Sequence, residues 1–221
     1  MKPRPVKAVF FDSDGVLIDT ERIFFEETRE AFAAAGIDLP PEIWARLYLA
    51  EGRPSPQIAG LLGLPSARIA ETITRRDERF RSRLDQGVAA LPGVREALAR
   101  LRPHVRLIMV TGAWRRHVDL AHRFSGCLPF FEDIVTQDDF DRPKPYPDAY
   151  LTALARAGLD AADGLAVEDS PRGANSALAA GLRCLIVPTA LTAAELCPPG
   201  AEIVPTLARV ADIVLEGEPI P

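Results

Sequence analysis

Asp12 and Asp14 stand two residues apart in an Asp-Ser-Asp-Gly run, directly after the apolar stretch 6–11. Thr111 with Gly112, and Glu168 with Asp169, follow two further apolar stretches, and Lys144 lies in a proline-rich run just before a helical pattern. Phosphoryl transfer needs what these residues offer: a nucleophile, a proton donor for the leaving oxygen, a cation and fixed hydrogen-bond donors. The Asp12 carboxylate can attack phosphorus and form an acyl phosphate. Asp14, just past the same strand end, can give a proton to the leaving group and later take one from water. Asp12 and Asp169 give a hard divalent cation two oxygen ligands. Magnesium suits them best, because it keeps waters and shares substrate phosphate oxygens. Thr111 contributes a hydroxyl donor, Gly112 a backbone N–H, and Lys144 a compact positive charge.

The elements that must position these residues follow from the hydrophobic pattern. Stretches 6–11, 105–110, 164–167 and 183–187 are short, apolar and rich in β-formers, each ending in polar residues, Gly or Pro; 134–135 is a weaker strand signal. Strands apolar throughout belong in a parallel sheet covered on both faces. Helical patterns over 94–101, 115–124, 147–157, 171–180 and 205–215 alternate with them. Ser170 is the expected N-cap of the fourth helix, with Pro171 in its first position and Gly181 beyond its end. This alternation predicts a doubly wound α/β core with the site at the carboxyl edge of the sheet. From Thr20 to Gln86 the alternation stops. Only helical pieces appear, over 20–35, 41–50, 57–62 and 66–84, so an all-helical cap over residues 20–86 is expected inside a core made of residues 1–19 and 87–221.

Composition sets the outer limits. The chain has 221 residues, 48% of them apolar, enough for a sizeable core. A net charge of −5 argues against a nucleic-acid or membrane-surface partner, both of which want a basic field. The basic residues are 23 Arg and only three Lys (Lys2, Lys7 and Lys144), which makes Lys144 stand out. The three cysteines, Cys127, Cys184 and Cys197, form no C-x-x-C pair, so neither a disulfide framework nor a zinc site is expected. No apolar run reaches 18 residues, and the run at 6–11 is too short for a signal-peptide core. Cytoplasmic residence and a small phosphorylated metabolite as partner are the expectations; oligomeric state is open.

Taken together, these residues resemble the haloacid dehalogenase superfamily of phosphatases. FFDSDGVLIDTE at 10–21 resembles its first motif, VTG at 110–112 its second, RPKPYPDAY at 142–150 its third and VEDSPRGANSALAAG at 167–181 its fourth. The resemblance implies an aspartyl phosphate on Asp12, acid–base work by Asp14, and magnesium held by Asp12, the Asp14 backbone carbonyl and Asp169. It implies Glu168 as a further ligand or a support for one, and a phosphoryl grip by Thr111 and Lys144. The insertion falls where the subgroup with a helical cap carries it.

Within that family, departures narrow the reading. Ser13 stands where an apolar residue is usual. The second motif reads Thr-Gly-Ala-Trp in place of the frequent Thr-Ser/Asn-Ser, so Trp114 and Arg115 are expected to shape an unusual pocket. Asp14 is present, whereas true dehalogenases lack it. The segment 20–86 contains no Lys for the imine of the phosphonate-cleaving relatives, and Phe24 replaces the His of the β-phosphoglucomutase type. A phosphatase is the resulting expectation. A sugar-phosphate mutase and a catalytically silent binding protein of the same fold are the alternatives. A response-regulator receiver domain uses similar groups in a different chain order and without such an insertion. Arg53 and Arg115 are expected to bind an anionic end of the substrate.

Overall fold

The structure is a computed structural model that describes residues 5–217; Lys2 lies outside them. Six strands form one sheet in the order β3-β2-β1-β4-β5-β6, and every pairing in it is parallel. The strands are β1 (Ala8–Phe11), β2 (Arg106–Val110), β3 (Asp133–Val135), β4 (Gly164–Glu168), β5 (Arg183–Ile186) and β6 (Ala201–Ile203). The chain runs outward from β1 to β3, then returns to lay β4 against the other side of β1. The loops after β1 and β4 therefore flank the point where the strand order reverses, the usual crevice for ligands in such sheets.

Alternation along each strand decides what covers each face. Val9, Phe11, Leu107 and Met109 point into one core with Leu98 and Val210. Those two lie on α5 (Val94–Leu101) and α9 (Leu207–Glu216). Phe10, Ile108, Val110 and Ala166 point into the other, against Tyr150 and Ala177 of α7 (Asp148–Ala157) and α8 (Pro171–Ala179). Both faces are covered, which is why the central strands β1, β2 and β4 are apolar almost throughout. The strand starting at Ala201 was not expected; it has three residues between a Cys-Pro-Pro-Gly turn and a Val-Pro pair. The pattern over 115–124 divides into α6 (Arg115–Ala121) and a 3₁₀ turn, His122–Phe124.

Between β1 and α5 the described backbone is helical: α1 (Thr20–Ala34), α2 (Pro41–Trp44) running into a π-helical turn (Ala45–Ala50), α3 (Ser55–Leu61) and α4 (Ser66–Asp85). These helices bury their own core, with Phe32, Leu39, Trp44, Leu49 and Ile58 almost wholly enclosed. This is an inserted all-helical cap over a Rossmann-like sheet. Its ends are adjacent: Ile18 bridges Ala90, and the Leu91 N–H donates to the Leu17 carbonyl at 2.9 Å. No helix of the described residues is long and apolar enough to cross a membrane. The three cysteines are free thiols.

Candidate active site

Asp12, Thr111 and Asp169 each sit one step beyond a strand, Glu168 ends one, and the backbone there is still tied to the sheet. The Asp12 N–H donates to the Val167 carbonyl at 2.9 Å, the Thr111 N–H to Val135 at 2.9 Å, and the Val187 N–H to Glu168 at 2.8 Å. Extending the ladder past the apolar run places the polar side chains on a rigid frame at the carboxyl edge. The side chains meet there. Lys144 Nζ donates to Asp12 Oδ1 at 2.7 Å, to Glu168 Oε1 at 2.6 Å and to the Val110 carbonyl at 3.0 Å. The Tyr150 hydroxyl donates to the same Glu168 oxygen at 2.5 Å. Asp14 accepts from the Thr20 hydroxyl and, at 3.2 Å, from the Thr111 hydroxyl. Thr111 in turn accepts from the Ala113 N–H at 3.0 Å.

Asp12, Glu168 and Asp169 each bring a carboxylate oxygen within 4.8 Å of the others, and all three are buried. Against these three carboxylates stand the Lys144 ammonium and the Arg172 guanidinium, whose charge also acts on Asp12 and Asp169. The imbalance is visible in the acid–base behaviour. Burial raises the Asp12 carboxyl even against the pull of Lys144. Burial pushes Glu168 up to about 7, and burial, then the charge of Asp12, raises Asp169 well above the usual carboxylate range. Burial alone would lower Lys144; Asp12 and Glu168 overcome it and hold the ammonium charged. Among the described residues Asp169 Oδ2 is buried with no hydrogen-bond partner. An oxygen-only donor set, a surplus of negative charge and an orphaned carboxylate oxygen fit a hard divalent cation.

A cavity of about 520 Å³ opens over this cluster, lined by Asp12, Asp14, Gly112, Lys144, Asp169 and, from the cap, Glu21, among others. A sequence model of the haloacid dehalogenase-like hydrolases matches residues 6–181. The chain belongs to that family. CbbY of Rhodobacter capsulatus is 37% identical over 198 residues, covering 85% of this chain and 87% of its own. Hexitol phosphatase B of Escherichia coli K12 is 27% identical over 202 residues, covering 84% and 85%. Among solved structures, CbbY from Rhodobacter sphaeroides bound to xylulose-(1,5)bisphosphate superposes with a TM-score of 0.72 at 27% identity, covering 92% of this chain and 95% of that one.

This family member departs from the sequence expectation at both distal arginines. Arg53 is not in the cavity lining; its guanidinium pairs with Glu51 at 2.5 Å. Arg115 also stays out, paired with Asp119 one helical turn on at 3.0 Å. The basic residues that do line the cavity are Lys144, Arg81, Arg116, His117 and Arg172. Arg81 comes from the cap, Arg116 and His117 from α6. The His117 imidazole is lowered first by burial and then by the charges of Arg116 and Arg81, against an opposing pull from Asp77 and Asp14, so the three basic groups share one corner of the cavity. Trp114, half exposed, lines the same side.

Other contributors reach the site from the cap and from α8. Arg172 stacks on the Tyr48 ring at 4.3 Å, so core helix α8 touches the cap. Tyr48 stacks on Trp44 at 4.0 Å, and the Trp44 indole donates to the buried Glu21 at 2.9 Å. Burial raises Glu21 to about 7. Phe24 lies edge-on to Phe80 at 5.0 Å and lines the cavity with a surface that cannot exchange protons.

Proposed function

We propose that this chain is a magnesium-dependent phosphatase of a small phosphorylated sugar, working through an aspartyl phosphate on Asp12. The observation that carries the reading is the convergence of Asp12, Lys144, Glu168 and Asp169, whose Oδ2 lacks a hydrogen-bond partner among the described residues, in the lining of one cavity, with Asp14 beside them. Asp12 and Asp169 would hold the ion with the Asp14 backbone carbonyl, while Glu168 holds Lys144. When bound, magnesium supplies positive charge to the phosphoryl oxygens and keeps the clustered carboxylates ionised.

An Asp12 oxygen forms a bond to phosphorus as the bond from phosphorus to the substrate oxygen breaks. Asp14 gives its proton to that departing oxygen, and the alcohol leaves. A water oxygen then bonds to phosphorus, its proton passes to Asp14, and the bond from phosphorus to Asp12 breaks. Phosphate departs with Asp14 protonated for the next cycle. Thr111 and Thr20 fix the Asp14 carboxylate through its two oxygens. Lys144 faces the nucleophile and offsets charge on the transferring group.

Sugar phosphates are favoured by the named activity of hexitol phosphatase B and by the sugar bisphosphate bound to CbbY of Rhodobacter sphaeroides. A mutase reading is weaker, because Phe24 occupies the position where a His would be needed. Hydrolysis of p-nitrophenyl phosphate tests the proposal. Turnover is expected with magnesium, and none after chelation. Asp12→Asn should abolish turnover and leave no acid-stable labelled protein on a phosphate-labelled substrate, since an amide cannot form the acyl phosphate. Turnover by Asp12→Asn at the wild-type rate would remove Asp12 from the mechanism.

A further inference from the structure

His122 lies outside the cavity, in the 3₁₀ turn behind α6, and nothing in the chemistry above uses it. It is nonetheless bonded to the loop that carries the nucleophile. His122 Nε2 lies 2.9 Å from the Ser13 hydroxyl, and Nδ1 lies 2.9 Å from the Ser125 hydroxyl. All three residues are buried.

The direction of each bond can be deduced. Ser125 Oγ donates its single proton to the His122 carbonyl at 3.2 Å and accepts from the Cys127 N–H at 3.1 Å. With that proton so used Nδ1 is the donor, and only this tautomer gives every proton an acceptor: in the reverse one Nε2 donates to Ser13 and leaves the buried Ser13 hydroxyl proton without an acceptor among the described residues. Burial lowers the imidazole to about 4, so the ring is neutral and carries only that one proton. Nε2 is then an acceptor, and the Ser13 hydroxyl donates to it.

Ser13 is also the pivot of the loop. Its carbonyl accepts from the Leu17 N–H at 2.8 Å and from the Val16 and Ile18 N–H groups at 3.3 Å. Its two neighbours in sequence are Asp12 and Asp14. A rotation of the backbone at residue 13 would move both carboxyl groups at once.

We propose that His122 is a positioning residue for phosphoryl transfer. Through a one-way chain from Ser13 to the imidazole to Ser125, it fixes the backbone between Asp12 and Asp14. The proposal rests on the reading of these two aspartates given above. Misplacing a reacting group by an ångström costs about 100-fold in rate, so loss of the tether should appear in kcat and leave KM alone.

Steady-state kinetics on p-nitrophenyl phosphate with magnesium, together with melting curves, test it. Ser13→Ala and His122→Leu should each lower kcat by about 10- to 100-fold with KM unchanged. The double variant should be no slower than the slower single one, because both cut the same chain. His122→Gln, whose amide oxygen can accept the Ser13 proton, should restore most of kcat. A folded Ser13→Ala enzyme with wild-type kcat, a loss carried by KM, or multiplying losses in the double variant would overturn the proposal. If His122→Leu does not fold, Ser13→Ala, which removes one hydroxyl, decides alone. A wild-type protein without turnover would instead remove the phosphatase reading, and this inference with it.

Discussion

Lys144 anchors the site at the scale of single residues, because three acceptors converge on one buried ammonium. Removing one partner from such a cluster leaves charge buried and unpaired, a penalty of about 3–5 kcal/mol. The short spacing of Asp12 to Asp14 and of Glu168 to Asp169 made these acids legible in the sequence. Lys144 was legible because lysines are scarce. Which way an arginine points was not legible. Arg53 and Arg115 sit in the expected segments, but each pairs with an acidic neighbour of its own, Glu51 or Asp119, outside the cavity lining. His122 was invisible for a related reason: its partner Ser13 is distant in sequence. That buried imidazole leads to a pH prediction. Its pKa is about 4 in the folded chain and about 6.5 when unfolded. Between these values the unfolded chain binds more protons, so folding stability rises with pH. The contribution, about 3 kcal/mol, is complete above pH ~6.5 and is lost as pH falls toward 4. Denaturant titrations at pH 7.5 and 5.0 should show a larger drop for the wild type than for His122→Gln. Equal drops would contradict the assignment of a neutral buried ring.

At the scale of elements, α8 connects the acids to the cap. Ser170 caps it, accepting from the Gly173 N–H at 3.3 Å, and Glu168 and Asp169 lead directly into it. Gly173 faces the Glu168 carboxylate so closely that an added Cβ would overlap its carbon and both oxygens. Glycine is required there for space, since its backbone needs no special φ. Gly173→Ala should drive Glu168 away from Lys144 and lower the melting temperature, consistent with the roughly 1–3 kcal/mol that overpacking costs. It should also reduce kcat by at least about 10-fold. Melting curves and kinetics matching the wild type would show that Glu168 can move without consequence. The strands and helices themselves were largely legible, because a sheet buried on both faces writes its strands as unbroken apolar runs. The strand Ala201–Ile203 was not. Three residues give too short a pattern, and its order comes from pairing with β5.

At the scale of the whole molecule, the cavity joins core and cap. Arg81 approaches from the cap and Arg116 from the core, and among the described residues neither makes a hydrogen bond or an ion pair. Two cations without side-chain ion pairs, both close enough to act on His117, suit an anionic group at the far end of the substrate. Arg81→Ala with Arg116→Ala should therefore raise KM for a sugar bisphosphate by about 10-fold or more. Values for p-nitrophenyl phosphate, which has no second anionic group, should be unchanged. Equal effects on both substrates would assign the arginines a structural role. An all-helical cap was legible as a break in the strand–helix alternation, whereas the identity of its cavity-facing residues depends on how helices pack.

The bridge between Ile18 and Ala90 brings the two ends of that cap side by side at the rim of the sheet. An insertion that leaves and returns through neighbouring positions asks nothing of the strands beneath it. It can be lengthened, exchanged for a relative's or trimmed while the hydrolytic machinery stays in register. Selectivity and chemistry can therefore diversify independently within this one chain.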